Sequence, residues 1–240
     1  MVKILVPIAG EALIDSETQF LKGLREVNRK MILQHVVDSL SQIPDANFIF
    51  VIRKDDVSKF HMDNIVKLMV PNADIVIAES NTAGSACTCL LAIGKLSPDE
   101  PLIVSGSDQL VAYDLKLIVD SFKTYDAGVI VFDDIHPRWS YVKMDEKNCV
   151  IEAAEKNPIS RNATTGFFYF RKSSDFIEAV MSMIRKGASV NGSYYVCPAL
   201  NELVLKNKRI GVFKIPRKNY FNFNNKVGVE SYDAFLNNKG

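Results

Sequence analysis

Residues 2–10 read Val2-Lys3-Ile4-Leu5-Val6-Pro7-Ile8-Ala9-Gly10. Apart from Lys3 and Pro7, Val2 to Ile8 is a run of β-branched and other apolar side chains, the pattern of a strand buried on both faces. It ends in an Ala-Gly turn. Met31 to Leu40 then places Ile32, Val36, Val37 and Leu40 on one helical stripe. Asn47 to Ile52 is a second buried strand, His61 to Val70 a helix, and Ala73 to Ala78 a third strand. Ser80-Asn81-Thr82-Ala83-Gly84-Ser85 leads into a helix over Ala86 to Leu96. Leu102 to Val104 is a strand ending in Ser105-Gly106-Ser107-Asp108. Leu115 to Phe122 is helical and Gly128 to Phe132 is strand again. Strands alternating with helices over residues 1–133 predict a parallel sheet covered on both faces.

The alternation stops near Asp134. Tyr141 to Lys143, Cys149 to Ala153 and Thr164 to Phe170 read as consecutive strands, with a hairpin turn at Asp145-Glu146-Lys147-Asn148. Helices follow over Asp175 to Ile184, with Ser173 or Ser174 as its cap, and over Ala199 to Leu205. Ile210 to Ile215 is a strand, and Ser231 to Leu236 a short last helix. No linker or repeat divides the chain. The reading is one α/β domain over 1–240, a three-layer α/β/α sandwich with a mostly parallel mixed sheet. Residues 1–133 form one half of it, and 134–240 a more antiparallel half that closes over the first.

Composition excludes several classes. The chain has 240 residues, of which 48% are hydrophobic and 24% charged, which rules out disorder and fibrous repeats. A net charge of +1 supplies no general field for nucleic acid or an anionic membrane. Cys87, Cys89, Cys149 and Cys197 form no disulfide ladder, and Cys87-Thr88-Cys89 lacks zinc spacing, so they read as thiols of a reducing cytosol. The N-terminal apolar run is too short for a signal peptide and no run is long enough for a membrane span. The expectation is a cytoplasmic protein.

In an open α/β sheet, ligands sit beyond the carboxyl ends of the strands. Ala9-Gly10-Glu11, Ser80 to Ser85 and Ser105 to Gln109 all leave such ends as polar or glycine-containing turns. Converging, they would form a nucleotide site. There Gly10 and Gly84 would let backbone N–H groups approach a base or phosphate, and Asp108 would face a divalent ion. Taken singly, each is also an ordinary turn or helix cap.

In this order the segments resemble the sugar-1-phosphate nucleotidyltransferases, the nucleotide-sugar pyrophosphorylases with a glycosyltransferase-A-like Rossmann fold. Ile4 to Gly10 resembles their first strand and the start of their signature loop. Phe20-Leu21-Lys22-Gly23-Leu24-Arg25-Glu26-Val27-Asn28 resembles their lysine segment, Asn81 to Ala86 the stretch against the base, and Ser107-Asp108-Gln109 the segment with the metal-binding aspartate. Trp139 to Val142, Glu155 to Ser160 and Ala163 to Phe168 resemble three sugar-side elements.

The resemblance implies nucleotidyl transfer from a nucleoside triphosphate to a sugar phosphate or similar small phosphorylated compound, with Mg²⁺ or Mn²⁺ bound alongside the nucleotide. It gives Lys22 and Asp108 catalytic roles, with Asp108 as the metal ligand. Ala9, Gly10, Glu11, Ala83, Gly84, Ser85 and Ser107 would meet the nucleotide. Trp139, Glu155, Lys156, Thr165, Gly166 and Asn191 would meet the sugar phosphate. It implies activated precursors for surface polysaccharide such as capsule, and leaves a homo-oligomer open. Each residue also has a plain alternative: Lys22 as a solvated loop lysine, Glu155-Lys156 as a surface charge pair, Trp139 as core.

The sequence departs from the family where polyphosphate should sit. The signature loop reads Gly10-Glu11-Ala12-Leu13-Ile14-Asp15, with Ile14 in the place of an arginine and two added acids. Leu21 and Gly23 replace prolines, and Ser193 replaces an acidic sugar contact. Asn224-Asn225-Lys226-Val227-Gly228 stands where a second metal-binding aspartate is expected. Arg25, Arg29 or Lys30 are candidates to supply the missing charge. These departures keep two rivals open: a degenerate nucleotide- or sugar-binding homologue, and a glycosyltransferase using a nucleotide sugar as donor.

Overall fold

β1 (Val2–Ile8) lies in a nine-stranded sheet, paired in parallel on both sides. The computed structural model describes residues 1–10 and 21–238. After β1 come β2 (Glu26–Val27) and β3 (Lys30–Met31), α1 (Ile32–Leu40), β4 (Ala46–Arg53), α2 (Lys54–Phe60), α3 (Met62–Met69) and β5 (Asp74–Ala78). Then follow α4 (Ser85–Leu90), β6 (Leu102–Ser105), β7 (Gln109–Val111), α5 (Leu115–Phe122) and β8 (Ala127–Asp133). The second half has β9 (Ser140–Met144), β10 (Val150–Glu155), β11 (Asn162–Phe170), α6 (Ser173–Arg185), α7 (Val196–Leu205), β12 (Ile210–Lys214), β13 (Tyr220–Asn222) and α8 (Lys226–Asn237).

The strand order is β10-β9-β11-β6-β1-β4-β5, with β8 also on β11 and β12 on β8. β6, β1, β4 and β5 are mutually parallel. β11 runs antiparallel to β6, β8 and β9 and joins the two halves into one sheet. One core packs α1, α3, α5 and α8 on one face. The other packs α4, α6 and α7 on the opposite face. This is the three-layer, mostly parallel α/β/α sandwich that the alternation predicts. Full burial of Ile4, Leu5 and Val6 is why β1 reads as a continuous apolar run.

Several elements differ from the sequence reading. The helix expected over Ala86 to Leu96 ends at Leu90, and a 3₁₀ turn, Ile93–Lys95, follows. Neither Ser173 nor Ser174 caps α6: Lys172 is the cap residue, and the Ser173 hydroxyl donates to the Glu100 carbonyl at 2.9 Å. α8 starts five residues earlier than expected, capped by Asn225, whose side chain accepts from Gly228 N–H. The short ribbon of β7 and β13 carries no periodic signal and is unpredicted. No helix among the described residues is long and apolar enough to cross a membrane.

Candidate active site

The turns after β1, β5 and β6 open on one cleft of 710 Å³, the location expected for ligands of an open α/β sheet. Ala9, Gly10, Asn81, Thr82, Gly84, Ser85 and Ser107 line one side. Arg138, Trp139, Ser140, Glu155, Thr164, Gly166, Ser193 and Tyr195 line the other. Asp108 lies between, with Asn222, Asn224 and Asn225 of the β13–α8 turn on the same wall. Glu11, with Ala12, Ile14 and Asp15, lies outside the described residues.

Asp108 is half-buried and built in by long-range contacts. Its carbonyl accepts from Phe223 N–H at 2.7 Å. Burial pushes its carboxyl up from the ordinary value, while a hydrogen bond from Asn224, its own N–H and the charge of Lys22 pull it back. Lys22 and Asp108 are therefore electrostatic neighbours. Lys22 begins a 3₁₀ turn, Lys22–Leu24, and its flanking residues Leu21 and Gly23 share a small cavity of about 10 Å³ with Asp108.

The Asn81–Ser85 loop is fastened from below. Thr82 and Thr88 hydroxyls meet at 2.6 Å. Tyr194 N–H donates to the Ala83 carbonyl at 2.7 Å, and Ala86 N–H donates to the Tyr194 carbonyl at 3.0 Å. Ala83 is thus committed to the Tyr194 backbone and is absent from the cleft lining. Gly84, expected to admit a ligand, is required for another reason: at φ +105°, a Cβ there would stand 2.4 Å from the Tyr194 carbonyl oxygen.

On the opposite side, Trp139 both lines the cleft and packs in the core. Its indole N–H donates to Asp134 at 3.0 Å, and the ring meets Phe132 and Tyr220 edge-on. The Arg138 guanidinium stacks on the indole at 4.2 Å. Among the described residues it is the one basic side chain lining the cleft. Burial pushes the Glu155 carboxyl up, against a Ser140 hydrogen bond and the Lys156 charge. Lys156 turns to Tyr195, donating to its hydroxyl at 3.0 Å, so it reaches the cleft through Tyr195 rather than lining it.

Two expected sugar-side residues point elsewhere. The Thr165 hydroxyl donates to the Ile130 carbonyl at 3.3 Å inside the core, and Thr164 takes the cleft position. The cause is period 2: adjacent strand residues face opposite sides of the sheet. Asn191 sits exposed at φ +51° in the Val190–Ser193 turn, and Ser193 and Tyr195 line the cleft instead. Sequence reasoning also missed Gln109, Arg138 and Tyr195.

The oxygen donor a divalent cation would find here is the Asp108 carboxylate, the hard ligand Mg²⁺ takes when it shares its coordination with phosphates; of the neighbouring amides, Asn224 is bonded to Asp108, and Asn222 and Asn225 Oδ1 accept from Asn224 and Gly228 N–H. Among the described residues no group of three His, Cys, Asp or Glu is placed to hold a metal ion.

No family model matches the sequence, and no curated protein matches it either. Solved structures match over the whole length. A nucleoside-diphosphate-sugar pyrophosphorylase from Vibrio cholerae RC9 superposes with a TM-score of 0.78 at 23% identity, covering 99% of this chain and 100% of its own. A UDP-glucose pyrophosphorylase complexed with UDP-glucose gives 0.78 at 16% identity, covering 98% of both chains. The fold is that of the nucleotide-sugar pyrophosphorylases. An apo UDP-glucose pyrophosphorylase gives the same TM-score at 15% identity, covering 99% of both chains.

Proposed function

We propose that this chain is a nucleotidyltransferase that joins a nucleoside monophosphate, taken from a triphosphate, to a sugar phosphate or a similar small phosphorylated compound. The observation that carries the reading is one cleft, in a pyrophosphorylase fold, lined by Asp108, Glu155, Trp139 and Tyr195, with the charge of Lys22, which does not itself line the cleft, felt at Asp108. The acceptor's phosphate oxygen bonds to the α-phosphorus, the α–β phosphoanhydride bond breaks, and pyrophosphate leaves. Such chemistry needs positioning and charge neutralisation more than a covalent protein group.

Lys22, whose charge acts on Asp108, would neutralise the α-phosphate, and the turns at Ala9-Gly10 and Gly84-Ser85 would bring backbone N–H groups to the nucleotide. Asp108 would hold Mg²⁺ or Mn²⁺, which when bound spreads the phosphate charge. Glu155 and Ser140 can accept from and donate to sugar hydroxyls, and Trp139 gives the ring an apolar wall. The product class, an activated sugar, fits precursor supply for surface polysaccharide in the cytoplasm. A second reading, a nucleotide-sugar-binding homologue without turnover, is favoured by the missing arginine at Ile14 and by asparagines around Asp108.

A thermal-shift panel of four nucleoside triphosphates, their diphospho-sugars and sugar 1-phosphates, with and without Mg²⁺, tests the proposal. A ligand at about 100 times its dissociation constant adds about 2.7 kcal/mol. The expected result is a Mg²⁺-dependent shift with one base in both triphosphate and diphospho-sugar form. Shifts with no nucleotide at all would overturn it.

A further inference from the structure

β5 stands at one end of the nine-stranded sheet, and among the described residues no strand lies beyond it. Its pairing with β4 is regular over Asp74 to Ala78, without a bulge, so its outer main-chain groups are presented without interruption. Side chains do not cover them. Ile77 is 37% exposed, and Ile75 and Val76 are only partly buried. Ile75 packs with the α1 and α3 layer and Val76 with the α4 layer. The 3₁₀ turn Ile93–Lys95 reaches the strand through Lys95, whose ammonium stands 3.0 Å from Asp74. Leu91 and Ile93, on the same stretch, are exposed.

The opposite end of the sheet is protected. The pairing of β10 is irregular between Val150 and Glu152, and Glu152 is an exposed charge. A bulge and a charge are devices that keep an edge strand from recruiting another chain. Ile75-Val76-Ile77 has neither, and the charges of β5 stand only at its ends.

We infer that β5 is a self-association surface: a second copy of this chain lays its own β5 antiparallel beside it, across a two-fold axis at Val76. Two features select a second copy over a foreign strand. Ile75-Val76-Ile77 reads the same in both directions. Pairing Val76 with its own equivalent therefore sets each Ile75 opposite an Ile77, and directly opposed residues share a face of the sheet. Isoleucines of both copies meet on one face, and the two valines on the other. The charges are self-complementary as well. Lys95 holds Asp74 at one end of the strand, and Lys54 holds Glu79 at 2.5 Å just beyond the other. Reversal brings these ends together, so each lysine gains a second carboxylate. An isologous contact of this kind closes at two copies. It is independent of the chemistry in the cleft.

Sedimentation velocity of the native chain, from low micromolar to submillimolar concentration, should show a monomer–dimer equilibrium. Ile77→Lys changes an exposed position of the monomer but, by symmetry, puts two charges into the junction. It should raise the concentration at half-dimer at least about ten-fold, while Ile77→Val stays within about two-fold. In Val76→Cys the substituted positions of two copies should lie about 4.5–5.5 Å apart. A short bis-maleimide should then join them, with the linked peptides identified by mass spectrometry. A native chain that stays monomeric leaves the edge to some other strand and overturns the inference. So does a dimer that Ile77→Lys leaves intact. If Ile77→Lys does not fold, the cross-link decides: a dimer in which the two substituted positions are never joined overturns it.

Discussion

The two sides of the cleft are built by different means. Along one wall lie turns at strand ends, Ala9-Gly10 and Asn81 to Ser85, and their hydrogen bonds are mostly backbone or hydroxyl. Along the other, anchored side chains form the surface: Trp139 tied to Asp134, Arg138 on its ring, Tyr195 tied to Lys156, Gln109 tied to Tyr220. A backbone wall can accept any ligand of the right shape and charge. A wall of anchored side chains can discriminate. The proposed function assigns base and phosphate binding to the first wall and acceptor selection to the second, with Asp108 between them.

The comparison breaks first at Asp108. Asp108→Asn should lower turnover by about 10²–10³-fold and remove the Mg²⁺ dependence of nucleotide binding, the scale of losing one preorganised charge-stabilising contact. Steady-state rates with a Mg²⁺ titration check it; unchanged metal dependence would place the ion elsewhere. Because burial already opposes the charge on Asp108, the same variant should keep the melting midpoint or raise it slightly.

Gly84→Ala tests the backbone wall. With φ at +105° and the Tyr194 backbone 2.4 Å from the added carbon, it should cost about 2 kcal/mol, a fall of about 5 °C in melting midpoint for a chain of this size. It should weaken triphosphate and diphospho-sugar alike. Loss confined to the sugar form would contradict the division.

Glu155→Gln tests the other wall and has a pH signature. An unfolded glutamate titrates at about 4.3, and burial raises Glu155 above its ordinary value in the fold. The folded protein thus binds the extra proton between those two values. Stability from this group is full below the unfolded value and falls as pH rises through the folded one. Calorimetry across that window should show the decline flattened in the variant, while affinity for the diphospho-sugar falls about ten-fold. The smallest effect belongs to Arg138→Ala. Its side chain is exposed at the rim, so an anionic ligand should lose about three-fold, with the loss fading at high salt. A salt-independent loss would mean that packing on Trp139 is what matters.

Much of this was legible in the sequence, and the reasons are local. β1, β4 and β8 are buried on both faces and carry continuous apolar runs, so they declare themselves. The turn at Asp145 to Asn148 shows in its residue types, with Asp145 accepting from Lys147 and Cys149 N–H. Asp108 and Glu155 stand out by lying at strand ends within recognisable neighbours. What escaped reading is what pairing across the chain creates. β7 and β13 are three residues each, and only their register, Gln109 opposite Asn222, brings the asparagine turn beside Asp108. Thr164 and Thr165 are chemically alike, and only the face of β11 that each occupies separates their environments. Gln109 and Tyr220 are unremarkable singly and lie 111 residues apart.

The central claim is that this cleft transfers nucleotidyl groups and does not merely hold nucleotide sugars. The direct measurement is pyrophosphate release in Mg²⁺ from each of four nucleoside triphosphates, paired with glucose, galactose and mannose 1-phosphates and other small phosphorylated acceptors. The account predicts acceptor-dependent pyrophosphate with one base, matched by formation of the nucleotide-linked product and lost in Asp108→Asn. Tight diphospho-sugar binding with no pyrophosphate from any pairing would contradict it.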